Sequence, residues 1–278
     1  MKHIHRFFVS DALAAGASIC LGDDDSFHAS RVLRLKRGSA MELAGPDGRV
    51  FAAVVERIGG PVEVTVGEEV RGNGAGGNEA GAAATAVSVK LTVAQALPKG
   101  KKFDLVVEKL SEIGVAGLVP VFSGKSVARP GRDSGEKLAR WRRIARAAAG
   151  QSKRNTVMEI AAPAGLEEWL KEFSEPLLVL ATEVGAEPLT AALVNVTGKV
   201  TATGAATGTA TGAATAAATE TMRLSLLVGP EAGFTRSEID MLAGAGAVFA
   251  SLGTQVLRTE TAALVAAAIV MNRLGMLG

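Results

Sequence analysis

The sequence predicts an α/β protein in two parts: a small β-rich domain over residues 1–70, and a larger domain over 87–278 built on a parallel sheet. Three observations carry this expectation. Short β-prone runs crowd the first 70 residues, and glycine- and proline-containing turns separate them. Past residue 87 the apolar period switches from two to 3.6 and back, giving strand, helix, strand. Near the end, the unbroken apolar runs 224–228 and 247–252 are each closed by glycine, Gly229 and Gly253. Such runs suit strands covered on both faces, as in parallel sheets.

In chain order, residues 41–43, 50–55 and 62–66 read as strands, with Gly45-Pro46-Asp47-Gly48 as the turn between the first two. Ahead of them, residues 28–37 mix apolar Val32, Leu33 and Leu35 with His28, Arg31, Arg34, Lys36 and Arg37. That composition fits a solvated helix end and an RNA contact equally well. Residues 71–86 are rich in Gly, Ala and Asn without an apolar period, and read as a flexible linker between domains. Val89, Leu91 and Val93 alternate with small or polar residues as a strand. Phe103, Val106, Val107, Leu110 and Ile113 then recur at helical spacing up to Gly114, and residues 118–122 form the next strand.

From Lys125 to Arg154 there are ten basic residues, opposed only by Asp133 and Glu136. Leu138, Trp141, Ile144, Ala145 and Ala148 share one helical face, so Arg140, Arg143 and Arg146 project largely from the other. A charged helix face is ordinarily just solvated. This bias exceeds what solubility requires and predicts phosphate binding, together with Lys125, Arg129 and Arg154. Without interleaved aromatics, such a patch positions RNA rather than reading its sequence.

Residues 177–181 are a further strand, ending at Thr182-Glu183, and a helix is expected over 187–195. Residues 201–219 contain only Ala, Thr and Gly; this composition predicts a loose or disordered insertion. After the strand at 224–228, Thr235 and Glu238 have capping-box spacing for a helix reaching Gly244. The strand at 247–252 follows, then a loop over 254–258, and Thr259 is expected to N-cap a long apolar helix ending near Leu274.

Composition narrows the function classes. A net charge of +2 requires any nucleic-acid affinity to come from clustered charge. The single cysteine, Cys20, excludes an intramolecular disulfide and a cysteine-rich metal site. No metal ligand set is legible, and three histidines within the first 28 residues leave no Ser-His-Asp arrangement. The opening is basic and then only briefly apolar, interrupted by Asp11, so a cytoplasmic chain is expected.

Ligands in open parallel sheets bind outside the carboxyl ends of the strands. That rule selects the loops after 224–228 and 247–252. Read alone, Gly229–Gly233 (GPEAG) is either a plain turn or a loop whose glycines let a ligand approach the backbone. The stretches GPEAGFT and LGTQVLRTETA together resemble the GPEGGF(S/T) and LGxRILRTETA signatures of one family. It comprises the bacterial 16S ribosomal RNA uracil-N3 methyltransferases (RsmE) of the SPOUT (α/β-knot) superfamily. HRFFV at 5–9, VLRLKRGSAMEL at 32–43, EKLSEIGVAGLVPVFSGKSV at 108–127 and QSKR at 151–154 extend the resemblance over nearly the whole chain. Ala232, Gln255, Lys125 and Ala147 stand where the family usually has Gly, Arg, Arg and Glu.

The resemblance implies a PUA-like RNA-binding barrel followed by a trefoil-knotted SPOUT domain, a homodimer, 16S rRNA within the small ribosomal subunit or its precursor as partner, and S-adenosyl-L-methionine as cofactor. The cofactor would lie against Thr182, Glu183, Gly229, Pro230, Gly233, Leu252, Gly253, Leu257 and Thr259. RNA contacts would include Arg6, His28, Arg31 and Arg34 with the basic stretch. Methylating N3 of uracil requires a proton acceptor and a donor to the carbonyl oxygens that gain charge. Glu260 and Arg258 are the candidates, with Glu231 in reserve. Two other readings fit the same residues: methylation of another base or of a ribose 2′-oxygen, and an RNA-binding assembly factor without chemistry.

Overall fold

The computed structural model describes residues 4–70, 88–100, 102–126, 134–181, 185–204 and 221–277. The linker at 71–86, together with Arg129, Thr182, Glu183 and residues 205–219, lies outside the described residues. The chain forms two compact units: Met1–Gly77 with Arg146–Val157, and Asn78–Ala145 with Met158–Gly278.

The first unit contains β1 (Arg6–Phe8), β2 (Ser18–Cys20), α1 (Asp23–Phe27), a π-helical turn (His28–Val32), β3 (Ala40–Ala44), β4 (Val50–Arg57) and β5 (Glu63–Glu69). Its sheet runs β1-β3-β4-β5-β2, antiparallel except for the β1–β3 pair. Alternation explains its main core: Met41, Leu43, Phe51, Ala53, Val55, Val62, Val64 and Val66 pack with Phe7 and Leu21, while Phe8, Ala44, Val50 and Ala149 form a second, smaller cluster. The GPDG turn joins β3 to β4. Gly45 N donates to Arg49 O at 2.9 Å, and Gly48 takes a φ of 77° that favours glycine.

The second unit contains β6 (Ser88–Ala96), α2 (Lys102–Ile113), β7 (Gly117–Phe122), α3 (Ser134–Gln151, whose residues from Arg146 belong to the first unit), β8 (Glu159–Ile160), β9 (Ala164–Gly165) and α4 (Leu166–Lys171). It continues with β10 (Leu177–Leu180), β11 (Glu187–Pro188), α5 (Leu189–Gly204), β12 (Thr221–Val228), α6 (Arg236–Gly244), β13 (Val248–Ser251) and α7 (Thr259–Arg273). The strands pair in the order β11-β13-β10-β12-β6-β7-β8, all parallel, with β9 also on β7. Here is the α/β parallel-sheet fold that the sequence predicts, preceded by its β-rich partner.

Each face of this sheet is covered, which is why its strands read as continuous apolar runs. Leu227, Ala94 and Ala96 meet Leu166 of α4 and Ile239 and Leu242 of α6. Helices α2, α5 and α7 pack together, and α7 lies on β6 and β12. Leu224, Leu226 and Leu227 of β12 are buried to 1% exposure or less. Each contributes about 1.5–3 kcal/mol by leaving water.

Several elements and boundaries differ from expectation. β12 begins at Thr221 and β5 runs on to Glu69, each three residues outside its expected bounds, and β1, β2, α1, β8, β9, α4 and β11 are elements that the sequence did not predict. The helix expected over 187–195 begins at Leu189 and continues to Gly204, four residues into the Ala/Thr/Gly segment. Those four residues, Thr201, Ala202, Thr203 and Gly204, are mostly weak helix formers, and the extension reflects cooperativity: once packing has nucleated a helix, each added residue needs only propagation. Thr259 is the first residue of α7 and not its cap; Arg258 holds that position without a capping side chain. The Thr259 hydroxyl has tertiary partners instead, at the site.

Candidate active site

The carboxyl ends of β10, β12 and β13 open into a cleft of about 310 Å³. Leu180 and Ala181 come from the first strand end, Val228 and Gly229 from the second, and Ala250, Ser251 and Leu252 from the third. The two following loops complete it with Pro230, Glu231, Ala232, Gly233 and Phe234, and with Gly253, Gln255, Val256, Leu257 and Thr259. Its walls are mostly aliphatic side chains and bare glycine backbone. Its volume lies at the lower end of the small-molecule range.

The loop after β12 is fixed from several sides. A Cβ on Gly229 would stand 2.8 Å from the Phe234 ring, so only glycine lets that buried ring close under the loop. Gly233 takes φ 70° and donates to Pro230 O at 2.9 Å. The predicted capping box is present: Thr235 Oγ1 accepts from Glu238 N at 3.2 Å, and Glu238 Oε2 accepts from Thr235 N at 2.7 Å. The other oxygen of Glu238 accepts from Gly124 N at 2.6 Å, which anchors the loop after β7. Lys125 Nζ donates to Ala232 O at 3.2 Å and to Phe234 O at 3.0 Å. Lys125, expected to touch RNA, is therefore occupied with the cleft wall.

The loop after β13 is open. Gly253, Thr254, Gln255, Val256 and Arg258 are exposed, Val256 to 89%. One neutral chain of bonds ties its far end to the first loop. Gln95 Nε2 donates to Thr259 Oγ1 at 2.9 Å, and that hydroxyl donates to Gly229 O at 2.7 Å.

A charged chain joins the same two loops. Lys102 Nζ stands 3.1 Å from Glu231 Oε1 and 3.6 Å from Glu260 Oε1. Glu231 lines the cleft, whereas Glu260 is 8% exposed and is not on the cleft wall. Its Oε2 is buried without a hydrogen-bond partner among the described residues. Arg258 is exposed and is not on the cleft wall itself, although its neighbours Leu257 and Thr259 are, and it makes no side-chain hydrogen bond or ion pair among the described residues.

Sequence reasoning missed Lys102 and Gln95. Lys102 belongs to the KGKK run at the junction of β6 and α2, on the edge where parallel sheets place ligands. Gln95 is the one amide in the strand SVKLTVAQA and is fully buried. Both signals were available in position, and neither residue type is distinctive enough to be picked out alone.

The expected RNA contacts separate into spent and available groups. Arg6 is spent: its side chain is 6% exposed, Nε donates to Glu42 at 2.9 Å, and Nη1 meets Lys153 O, Arg154 O and Asn155 Oδ1. Burial would raise the Glu42 carboxyl, but bonds from Lys153 and Arg6 outweigh it and hold Glu42 below the usual carboxylate value. The side chain of Arg6 thus ties the QSKR segment into the first unit instead of facing solvent. Arg146 pairs with Asp25 at 2.6 Å, and Arg140 pairs with Asp104. Arg154 is partly buried, and desolvation pushes its guanidinium below the usual value. Arg143, His28, Arg31 and Arg34 are exposed.

A parallel sheet with a small-molecule cleft at its strand ends, walled by two glycine-bearing loops, defines an α/β ligand-binding site, and comparison narrows the class to RNA methyltransferases. Residues 85–271 match the RNA methyltransferase domain family. The ribosomal RNA small subunit methyltransferase E of Mycobacterium bovis is 31% identical over 266 residues, spanning 94% of this chain and 88% of that one. The protein of the same name from Synechocystis is 27% identical over 95% of this chain and 76% of its own. The chain belongs to the ribosomal RNA small subunit methyltransferase E family. Its fold is shared with the Neisseria gonorrhoeae member solved bound to S-adenosyl methionine, with a TM-score of 0.74 and 24% identity over 98% of both chains. It is also shared with the Legionella pneumophila methyltransferase Lpg2936 solved with bound SAM, with a TM-score of 0.77 and 24% identity over 98% of both chains.

Proposed function

We propose that this protein transfers a methyl group from S-adenosyl-L-methionine to N3 of a uridine in small-subunit (16S) ribosomal RNA, acting as a cytoplasmic homodimer on the subunit or its precursor. The observation that carries the reading is the cleft at three strand ends, built by the same two loops whose sequences signal the family. The residues present fit the cofactor: aliphatic Leu180, Leu252 and Leu257 offer apolar walls, and Gly229, Gly233 and Gly253 leave backbone accessible. Pro230 and Thr259 complete the contact set, and Thr182 and Glu183 are assigned to it from the sequence. When bound, the cofactor supplies an electrophilic methyl on a sulfonium.

The chain's own residues then handle the substrate. Of the two carboxylates, Glu231 opens on the cleft and Glu260 lies behind it, so Glu231 is assigned the N3 proton and Glu260 a supporting place. This reverses their order in the sequence reading. Arg258 is assigned as donor to the uracil carbonyl oxygen on which charge develops, from a rim where no described ion pair competes. Exposed His28, Arg31, Arg34 and Arg143 are the proposed phosphate contacts, with Arg129 and Arg154 adding positive charge, whereas Arg140 and Arg146 are largely neutralised by Asp104 and Asp25.

Nucleoside mass spectrometry of small-subunit rRNA from cells with and without the gene tests the reading. Loss of 3-methyluridine in the deletion, restored by the wild-type gene, is expected. Loss of a different methylated nucleoside would move the assignment to another base or to a ribose oxygen, and an unchanged nucleoside profile would overturn methyl transfer.

A further inference from the structure

We infer that Lys102 is a positioning residue of the site, holding Glu231 in place against the buried carboxylate of Glu260. The inference rests on the methyltransferase reading for its kinetic consequence, but its structural consequence stands without it. Lys102 is the first residue of α2, where the positive end of a helix dipole disfavours a cation. A lysine there needs compensation, and two carboxylates supply it from two other elements. Glu231 approaches from the loop after β12 at 3.1 Å, and Glu260 from the first turn of α7 at 3.6 Å.

The three partners differ in exposure in a way that separates their roles. The Glu260 side chain is 10% exposed, and those of Lys102 and Glu231 are 38% exposed. Glu260 is the fixed end: α7 buries it, and no described residue other than Lys102 forms a salt bridge with it. Glu231 is the working end, since it lines the cleft. Lys102 joins them through Glu231 Oε1, and no hydrogen bond or ion pair ties Oε2 of Glu231 to any described residue. A side chain that bonds one oxygen of a carboxylate orients the other, the arrangement in which a third group aligns a catalytic base. The neutral link through Gln95, Thr259 and Gly229 O joins the same loops, so losing Lys102 removes orientation while the loops stay tied.

The test compares Lys102→Met, Lys102→Arg and Lys102→Met/Glu260→Gln in the full chain. Steady-state methylation of small ribosomal subunits is measured alongside thermal unfolding without ligands. Lys102→Met should lower kcat by about tenfold or more, with the KM for S-adenosyl-L-methionine changed by less than about threefold, because orientation of the base acts in the transition state. Lys102→Arg should recover most of that loss. In unfolding, Lys102→Met strands a buried carboxylate beside a second one, so its Tm should fall below wild type, and adding Glu260→Gln should restore most of the fall. Wild-type kcat in Lys102→Met would overturn the positioning role, and equal Tm values for Lys102→Met and the double variant would overturn the charge link. If Lys102→Met does not fold but the double variant does, the charge link stands, and the kcat of Lys102→Arg decides the kinetic claim. If wild type methylates no RNA, the enzyme reading fails, while the unfolding comparison still decides whether Lys102 compensates Glu260.

Discussion

The two loops that wall the cleft are built in opposite ways. The loop after β12 is held by a buried ring under Gly229, by the Thr235–Glu238 capping box, by Gly124 N on Glu238 and by Lys125 on two of its carbonyls. The loop after β13 exposes Thr254, Gln255 and Val256 to solvent, and among the described residues its side-chain hydrogen bond to the first loop is at its end, from Thr259. A rigid floor and an open rim divide the tasks of a two-substrate site. The floor presents a fixed surface to a small molecule, and the rim stays accessible to a large one.

Substitutions can break that contrast. The largest effect is expected from Gly229→Val, which drives a side chain into the Phe234 ring. It should cost about 3 kcal/mol of stability and abolish binding of S-adenosyl-L-methionine, as measured by denaturant unfolding and calorimetry. A tolerated valine with unchanged affinity would show that the floor yields. Next comes Arg258→Ala on the rim. It should lower kcat by roughly a hundredfold, equivalent to about 2.7 kcal/mol, with stability and both binding affinities near wild type. A fall in RNA affinity that saturation removes would make Arg258 a phosphate contact instead.

Glu238→Ala tests the floor again, more gently. It opens the capping box and leaves Gly124 N unpaired, and about 1–2 kcal/mol should be lost on thermal or denaturant unfolding. The smallest effect is expected from Val256→Ser. A side chain 89% exposed has little to lose, so stability should move by less than about 0.5 kcal/mol. A larger loss would mean that the rim is packed in solution and that the contrast between the loops is overstated.

Much of this was legible beforehand, for reasons that are local. The capping box at Thr235 and Glu238 needs only three-residue spacing, and the end of α2 at Gly114 needs only a residue that tolerates φ 100°. β12 announced itself as an apolar run because its second half is buried on both faces, and β13, where only Ala250 is fully buried, was legible as an apolar run closed by glycine. The basic face of α3 was equally plain, since Trp141, Ala145 and Ala148 are buried and Arg140 and Arg143 are not. What that pattern did not reveal was the fate of each charge. Arg6, Arg140 and Arg146 look alike in the sequence, but each meets a carboxylate far along the chain, in Glu42, Asp104 and Asp25.

The sequence by itself determined the longer elements of the second domain, the parallel sheet, the two loops and the family, because periodicity, capping and glycine placement act within a few residues of one another. Only the tertiary structure decided which groups share a site and which of them face it. Lys102, Glu231 and Glu260 belong to three separate segments, and nothing in any one of them specifies a distance to the others. The parallel order of β6 and β12 brings their carboxyl ends side by side, with Val228 opposite Gln95. That register sets Gln95 and Lys102 beside the two family loops, and the packing of α7 buries Glu260 while leaving Glu231 on the cleft wall. Burial and long-range pairing depend on how the whole chain closes, so the division of roles between two similar glutamates could be read only after folding.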